Sequence, residues 1–308
     1  MTYDPFVRGP LQVRQRTLDA ADARRARVFP LEIWQPDDDG AHPLIAYSPH
    51  AGGSRLVATL LCEHLASHGY AVAALDHSEV VAADLAGKDA ETQAQRAARV
   101  DAIIASRVPD VRFLLDKVAA EGGVDSTRIG LVGHSFGGWT VLATAEVDER
   151  VRSVVAMGPG GGSDPKPGVL ALTLTFALGR DVPTLYLAAE DDVPIPLRSV
   201  RELFDRTPSA RRMFVLRRAD HQHFVDDVER AHEAVRTSVW PEDAAWIAAA
   251  MKRSDELASG DEAHAFVHSL TLAHLDATLR DDAAAAAFLD AAARTLAEHG
   301  VDAYEERR

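Results

Sequence analysis

The sequence is poor in cysteine and in basic residues and has no long apolar run, and each of these absences excludes a class of protein. Its 308 residues include one cysteine, so no disulfide can form within the chain. Lysine and arginine number 33 against 47 aspartate and glutamate residues, a net charge of −14 that argues against nucleic acid or an anionic membrane surface as partner. No apolar run approaches the roughly 18 residues that a membrane-spanning helix needs.

The N-terminal residues and the single thiol carry two further expectations. The opening, MTYDPFVRGP, lacks a basic start followed by an apolar run, so we expect no secretory signal and a cytoplasmic protein. Cys62 stands among leucines in a segment with helical periodicity, and we therefore expect a buried thiol without a catalytic role. The sequence leaves the oligomeric state open, a homodimer included.

Short apolar segments alternate with helical ones along the middle of the chain. Loose alternation over residues 11–36 predicts antiparallel strands at a sheet edge, and the apolar runs that follow predict strands at 44–48, 71–75, 129–132, 151–157, 182–188 and 213–216. This order is typical of a doubly wound, mostly parallel sheet with helices on both faces. We expect one α/β domain over residues 1–308, with ligands bound beyond the C-terminal strand ends.

Three other segments complete the predicted architecture. A helix is expected to begin after Pro109 and to end at Gly122 and Gly123. Residues 158–181, rich in glycine and proline and then apolar, are interpreted either as a small lid over an acyl pocket or as a helix packed on the sheet edge. The region 241–308 is predicted to form C-terminal helices that pack on the core.

One stretch, Gly133-His134-Ser135-Phe136-Gly137, has the pattern of a nucleophile on a sharp turn between a strand and a helix. Such a turn brings the residues two before and two after the serine close together, which favours glycine at both positions. Ser135 would stand exposed at a helix N-terminus, where the backbone N–H of Phe136 can face a developing oxyanion. The alternative is a glycine-rich turn whose serine only caps the helix.

A catalytic serine needs a base and an acid that orients the base, and both residue types follow in the expected order. The strand at 182–188 ends in Glu190-Asp191-Asp192, and we favour Asp192 as the acid, with Asp191 as the alternative. The next strand is followed by two histidines, of which we favour His221 as the base. His223, like His134, is then a candidate for the pocket wall.

The second oxyanion donor is expected in the loop after the strand at 44–48. This loop contains Ala51, Gly52 and Gly53, and glycine leaves the backbone N–H unshielded. We choose Gly52 as the donor, while Ala51 stays open as the alternative and as a pocket residue. The loop could also be a simple helix-starting turn.

Two weaker sequence patterns do not indicate a cofactor site or a metal site. The glycine-rich run at 158–163 has Ser163 where a dinucleotide fingerprint requires glycine, so we expect no nucleotide cofactor. His264 and His268 lie four residues apart, but the segment lacks the glutamate of a zinc-protease motif. We therefore expect neither a metal nor any other cofactor.

With these residues in place, the chain resembles the α/β-hydrolase superfamily, and within it the bacterial proteins described as predicted dienelactone hydrolases or platelet-activating-factor acetylhydrolase-like proteins. The resemblance rests on six motifs spread over about residues 4 to 225, namely DPFVRGP, FPLEIWQP, SPHAGGSR, RVPDVRFLLD, GHSFGG and ADHQHF. It implies a serine hydrolase of carboxylic esters that uses Ser135, Asp192 and His221. Dienelactone hydrolases proper use a cysteine nucleophile, so the serine here argues against dienelactone as substrate.

The sequence thus predicts a serine esterase that acts on small-molecule esters with small or medium acyl groups. A thioesterase, an amidase or a cofactor-free haloperoxidase would use the same three residues. A ligand-binding protein without turnover on the same fold is the alternative from another class.

Overall fold

The computed structural model describes residues 3–88 and 91–306 and contains one nine-stranded sheet. The strands are β1 Val13–Asp22, β2 Arg27–Pro36, β3 His42–Ser48, β4 Ala71–Leu75, β5 Val124–His134, β6 Val151–Met157, β7 Thr184–Ala189, β8 Arg211–Leu216 and β9 Ala303–Glu306. Their order across the sheet is β1-β2-β4-β3-β5-β6-β7-β8-β9. The six strands β3 to β8 run parallel to one another, and the edge strands β1, β2 and β9 pair antiparallel.

Helices cover both faces of this sheet. They are α1 Thr59–Ser67, α2 Ser78–Val81, α3 Gln93–Glu121, α4 Phe136–Val147, α5 Leu197–Arg206, α6 Val228–Thr237, α7 Trp246–Ala250, α8 Gly260–Leu279 and α9 Ala283–Glu298. Successive residues of a strand face opposite sides, so Leu131 packs in the core with α3, α4 and α5, while Val132 packs in the core with α1, α8 and α9. The expected doubly wound α/β architecture is confirmed.

The structure corrects the predicted start of the helix after Pro109. Helix α3 begins sixteen residues before that proline, at Gln93, where the Thr92 side chain accepts a hydrogen bond from Gln95 N (3.2 Å) and the Gln95 side chain accepts one from Thr92 N (2.9 Å). A proline inside a helix removes one backbone donor, which is why Pro109 is predicted to mark a helix boundary. The capping box sets the boundary, and Pro109 lies within the helix.

The C-terminal region is also corrected. Residues after Pro241 are not helical throughout, because β9 follows Gly300 and pairs antiparallel with β8. Gly300 has a φ of +78°, and such a residue commonly ends a helix and lets the chain turn away. The predicted insertion at 158–181 contains neither a helix nor a strand.

Candidate active site

Ser135 stands at the turn between β5 and α4 in a strained backbone conformation. Its φ is +61° and its ψ is −118°, values that side-chain-bearing residues rarely adopt. The turn is tight enough that a Cβ on Gly133 would lie 2.3 Å from the carbonyl oxygen of Gly137. The Ser135 N–H donates to Met157 O of the neighbouring strand (2.8 Å), which ties the strained residue to the sheet.

The structure brings Ser135, His221 and Asp192 into one hydrogen-bonded chain. His221 Nε2 lies 2.7 Å from Ser135 Oγ, and His221 Nδ1 lies 2.7 Å from Asp192 Oδ2. With the Nδ1 proton donated to the carboxylate, the Nε2 lone pair of neutral His221 faces the serine hydroxyl. The three residues follow β5, β7 and β8, so all project from the C-terminal edge of the parallel strands.

Two opposing effects act on the pKa of His221. Burial disfavours the imidazolium, but the negative charge and the hydrogen bond of Asp192, helped by Asp220, raise the pKa above its usual value. Asp220 is itself buried, and its Oδ1 accepts a hydrogen bond from His221 N. Burial and the nearby charge of Asp192 raise the pKa of Asp220.

The structure places the three candidate oxyanion donors differently with respect to the cavity beside Ser135. Phe136 begins α4 and lines the cavity beside Ser135, and its N–H has no acceptor among the residues that the structure describes. Gly52, our choice for the second donor, does not line the cavity. Its N–H is directed to Glu79 Oε1 (3.5 Å). Ala51, the alternative, lines the cavity, and within the described part of the chain its N–H has no acceptor.

Ser135 opens into a cavity of about 310 Å³ with mostly apolar walls. The wall residues, drawn from α4, segment 158–181, the loop after β7 and the region around α6 and α7, are Phe136, Val169, Leu170, Leu172, Pro194, Ile195, Val235, Trp240, Ile247 and Met251. His50, Asp220, His221 and Gln222 add polar groups to the cavity wall. The cavity suits an uncharged, apolar substrate group.

His134 and His223 are not pocket residues. His134 is fully buried, with its ring centroid 4.7 Å from that of His221, and burial lowers its pKa far below the usual value. His223 is buried as well; its Nδ1 accepts from Asp220 N (3.0 Å) and its Nε2 donates to Ala258 O (3.0 Å). The His223 ring therefore ties together the backbone around His221, whereas the His134 ring packs beside His221 without a hydrogen-bond partner among the described residues.

With this geometry established, comparison with known proteins gives the family. The model of the chlorophyllase family matches residues 1–177, more than half of the chain. The chain belongs to the chlorophyllase family.

Relatives of this chlorophyllase-family chain are esterases by name. The platelet-activating factor acetylhydrolase of Cavia porcellus is 25% identical over 227 residues, which cover 60% of this chain and 48% of the relative. Cutinase 2 of Thermobifida cellulosilytica is 23% identical over 238 residues, or 73% of this chain and 81% of the relative. The chain thus spans about half the length of the acetylhydrolase. Together with the family match, these relatives confirm the expected group of α/β-hydrolase serine esterases.

Among solved structures, the ferulic acid esterase of Streptomyces cinnamoneus has the same fold. The TM-score is 0.64 at 23% identity, and the alignment covers 89% of this chain and 92% of the esterase. The α/β-hydrolase fold expected from the sequence is therefore confirmed. Within residues 3–88 and 91–306, no helix combines the length and the apolar character needed to cross a membrane.

This chlorophyllase-family chain contains a second Ser–His–Asp chain of hydrogen bonds. Ser48 Oγ lies 2.9 Å from His77 Nε2, and His77 Nδ1 lies 3.2 Å from Asp110 Oδ2. All three side chains are buried and none lines the cavity, and Ser48 lies within a strand instead of on a strained turn. The hydrogen-bond pattern is the same at both serines. Ser135 differs from Ser48 in its access to the cavity and in its backbone strain.

Several residues around the site were missed by the sequence argument. Arg107 and Asp220 lie within the motifs RVPDVRFLLD and ADHQHF but were given no role, and Glu79 lies in no motif. Ile247 and Met251 lie in the region 241–308, which was interpreted only as packing helices, and Trp240 directly precedes it. The signal available for Arg107 was the motif RVPDVRFLLD, in which two arginines and two aspartates alternate with apolar residues. Long-range packing places the others at the site.

Proposed function

We propose that the chain hydrolyses carboxylic esters with an apolar acyl group of small to medium size, with Ser135 as the nucleophile. The observation that carries this proposal is the Ser135–His221–Asp192 chain, with both distances 2.7 Å, at the wall of an apolar cavity of about 310 Å³. A cavity near the lower end of the usual range for ligand sites favours short and medium acyl chains over long ones.

In the proposed mechanism, neutral His221 takes the hydroxyl proton of Ser135 as Oγ attacks the ester carbonyl carbon. Asp192 holds the imidazole in the required tautomer and stabilises the imidazolium. The N–H groups of Phe136 and Ala51 donate to the oxyanion of the tetrahedral intermediate. His221 then protonates the leaving alcohol, and an acyl group remains on Ser135.

Water completes the cycle by the same steps in reverse. His221 takes a proton from water as the water oxygen attacks the acyl carbon, and the second tetrahedral intermediate expels Ser135 Oγ, which regains its proton from His221. The net reaction consumes one ester and one water and releases one acid and one alcohol. No redox step or metal is needed.

We further propose that segment 158–181 forms the outer wall of the acyl pocket and acts as its lid. Three of its apolar residues, Val169, Leu170 and Leu172, line the cavity. The segment is fastened at separate points, since Trp246 Nε1 donates to Pro167 O (2.9 Å) and Trp139 Nε1 donates to Thr173 O (2.9 Å). These bonds favour small local adjustments of the wall over a wide opening.

The experiment is steady-state hydrolysis of p-nitrophenyl esters from acetyl to dodecanoyl by the wild type and by Ser135→Ala, with Ser48→Ala as the matched serine variant. We expect a maximum between butanoyl and octanoyl and loss of turnover in Ser135→Ala. Ser48→Ala should keep measurable turnover, reduced only through the packing of α3 against β3, because Ser48 does not reach the cavity. Equal rates in wild type and Ser135→Ala, or complete inactivity of both, would reject the proposal.

The pH dependence provides an independent check on the base. Only neutral His221 can accept the serine proton, so kcat/KM should fall as pH drops through the His221 pKa. Since that pKa is raised, the acid limb should lie at a higher pH than it would for an unperturbed imidazole. A kcat/KM that stays constant from pH 5 to pH 8 would argue against His221 as the base.

A further inference from the structure

Arg107 is a fully buried arginine that contacts both halves of the candidate oxyanion hole. Its Nη1 donates to Pro49 O (2.8 Å), and its Nη2 donates to His50 O (3.1 Å) and to the carboxylate of Glu79. Its guanidinium carbon lies 4.1 Å from the centroid of the Phe136 ring. One side chain on α3 thus touches the loop after β3 and the residue that follows Ser135.

The contact with His50 O has a consequence for the next N–H along the chain. The carbonyl of His50 and the N–H of Ala51 belong to one trans peptide group, so they point in opposite directions. When Arg107 and the N–H of Gly53 (3.0 Å) hold the His50 oxygen inside the protein, the Ala51 N–H is turned away from them. Ala51 lies at the cavity wall, so this orientation suits an oxyanion donor.

The positive charge of Arg107 also strengthens that donor. A hydrogen bond from a guanidinium polarises the carbonyl, and polarisation along a peptide group makes its N–H a better donor. The contact with the Phe136 ring fixes the second donor residue relative to the first.

We propose that Arg107 is the positioning residue of the oxyanion hole, setting the spacing and the orientation of the donors at Ala51 and Phe136. The proposal rests on the proposed function, because an oxyanion hole matters only to an enzyme that forms a tetrahedral intermediate. Arg107 does not touch substrate, since it does not line the cavity.

The surroundings of α3 support this role. Asp110, one turn after Arg107, accepts from Ser78 N (2.8 Å) and Ser78 Oγ (2.8 Å) and belongs to the buried chain that reaches Ser48, directly before Pro49. Helix α3 is thereby locked to the ends of β3 and β4. A buried ion pair of this kind contributes little net stability, since desolvating both charges offsets their attraction.

The chain offers a matched control in Arg280. Its guanidinium donates to two backbone carbonyls, His68 O (2.9 Å) and Gly69 O (2.7 Å), and to the carboxylate of Asp276 (2.9 Å). It also lies over an aromatic ring, 3.9 Å from the centroid of Tyr70. Arg280 therefore repeats the contact types of Arg107 at the opposite end of β4, away from Ser135.

The test compares Arg107→Met, Arg107→Lys and Arg280→Met in the hydrolysis of p-nitrophenyl butanoate and in the binding of butylboronic acid, which forms a tetrahedral adduct with an active-site serine. For Arg107→Met we expect kcat to fall by about 10²- to 10³-fold, as for loss of one oxyanion donor, with KM changed by less than about 3-fold. Boronate affinity should fall in parallel with kcat/KM. Arg107→Lys should recover part of the loss, and Arg280→Met should keep kcat within about 3-fold of the wild type.

The outcomes distinguish failure of the positioning role of Arg107 from failure of the proposed function. If the wild type turns over but Arg107→Met retains its kcat, or Arg280→Met loses as much, the positioning role is rejected and the proposed function stands. If the wild type turns over no ester, the proposed function fails and the positioning role falls with it. Should Arg107→Met not fold, Arg107→Gln, which has neither the charge nor the forked donors of arginine, would still reject the role if its kcat and boronate affinity were unchanged.

Discussion

Asp192 is one of three consecutive acidic residues, and their contacts differ sharply. Its Oδ2 bonds to His221 and its Oδ1 accepts from Ile195 N (2.8 Å) in a buried site. Asp191 pairs instead with Lys252 Nζ (2.8 Å), and Glu190 pairs with Arg217 Nη1 (3.0 Å), both at the surface. Each acid thus has its own partner, and only Asp192 is in contact with the imidazole.

Replacing the two aspartates one at a time tests this assignment. Asp192→Asn should keep the shape of the site but favour the wrong imidazole tautomer, lowering kcat by about 10⁴-fold, as in other serine hydrolases with this arrangement. Asp191→Asn removes only a surface ion pair and should change kcat by less than about 3-fold. Measured kcat values on p-nitrophenyl butanoate decide between them, and a large loss in Asp191→Asn would reverse the assignment.

At the scale of elements, the turn between β5 and α4 and the loop after β3 are packed against each other through glycine. A Cβ on Gly137 would lie 1.9 Å from Ser48 O and 2.7 Å from Pro49 O, both backbone atoms. Neither atom belongs to a flexible side chain that could move aside. The loop that carries Ala51 is therefore held in place partly because residue 137 has no side chain.

Gly137→Ala should consequently impair the site as well as the fold. The new methyl group must displace either the loop or α4, which we expect to lower the free energy of unfolding by about 1–3 kcal/mol and to lower kcat by at least about 10²-fold. Urea unfolding and p-nitrophenyl butanoate hydrolysis measure the two effects. The control is Gly87→Ala, whose Cβ would meet only the Arg99 guanidinium at 3.6 Å. Wild-type kcat in Gly137→Ala would refute the packing argument.

Features of the architecture that follow from local sequence patterns could be predicted, whereas features that depend on long-range contacts could not. The parallel strands and the turn at Ser135 follow from apolar runs and glycine spacing, which are local and strong. The predicted start of α3 lies too late in the chain, because Pro109 was interpreted as a boundary and the capping box at Thr92 was not used. Strand β9 was not predicted, because its four residues carry little periodicity. Donor orientation at Ala51 depends on Arg107, 56 positions further along the sequence, and no local pattern reports such a contact.

At the scale of the whole molecule, a cluster of histidines lies where α1 and α8 pack together in the helical layer on one face of the sheet. His64 lies on α1 and His68 directly follows that helix, His264 and His268 lie on α8, and the rings of His64 and His268 stack at 4.9 Å. Burial, with the neighbouring His68, lowers the pKa of His64 to about 3, and burial lowers that of His268 well below its usual value. This packing needs neutral imidazoles.

The cluster should therefore make the whole fold sensitive to acid. Below about pH 6.5 the unfolded chain binds a proton at His64, whereas the folded chain does not until about pH 3, so stability falls as pH decreases through this interval. The substitution His64→Gln removes the imidazole that binds this proton. Its free energy of unfolding should decline less steeply between pH 6 and pH 4, by up to about 1.4 kcal/mol per pH unit.

Urea unfolding of both proteins at pH 8, 7, 6, 5 and 4 measures this difference. Between pH 8 and pH 7 the gap between wild type and His64→Gln should stay constant, because His64 is neutral in both the folded and the unfolded chain there. Asp226, whose pKa burial raises to about 6, acts in the opposite direction, but it is present in both proteins and cancels in the comparison. Parallel curves down to pH 4 would show that His64 is already protonated in the fold, and the neutral packing of α1 against α8 would then be wrong.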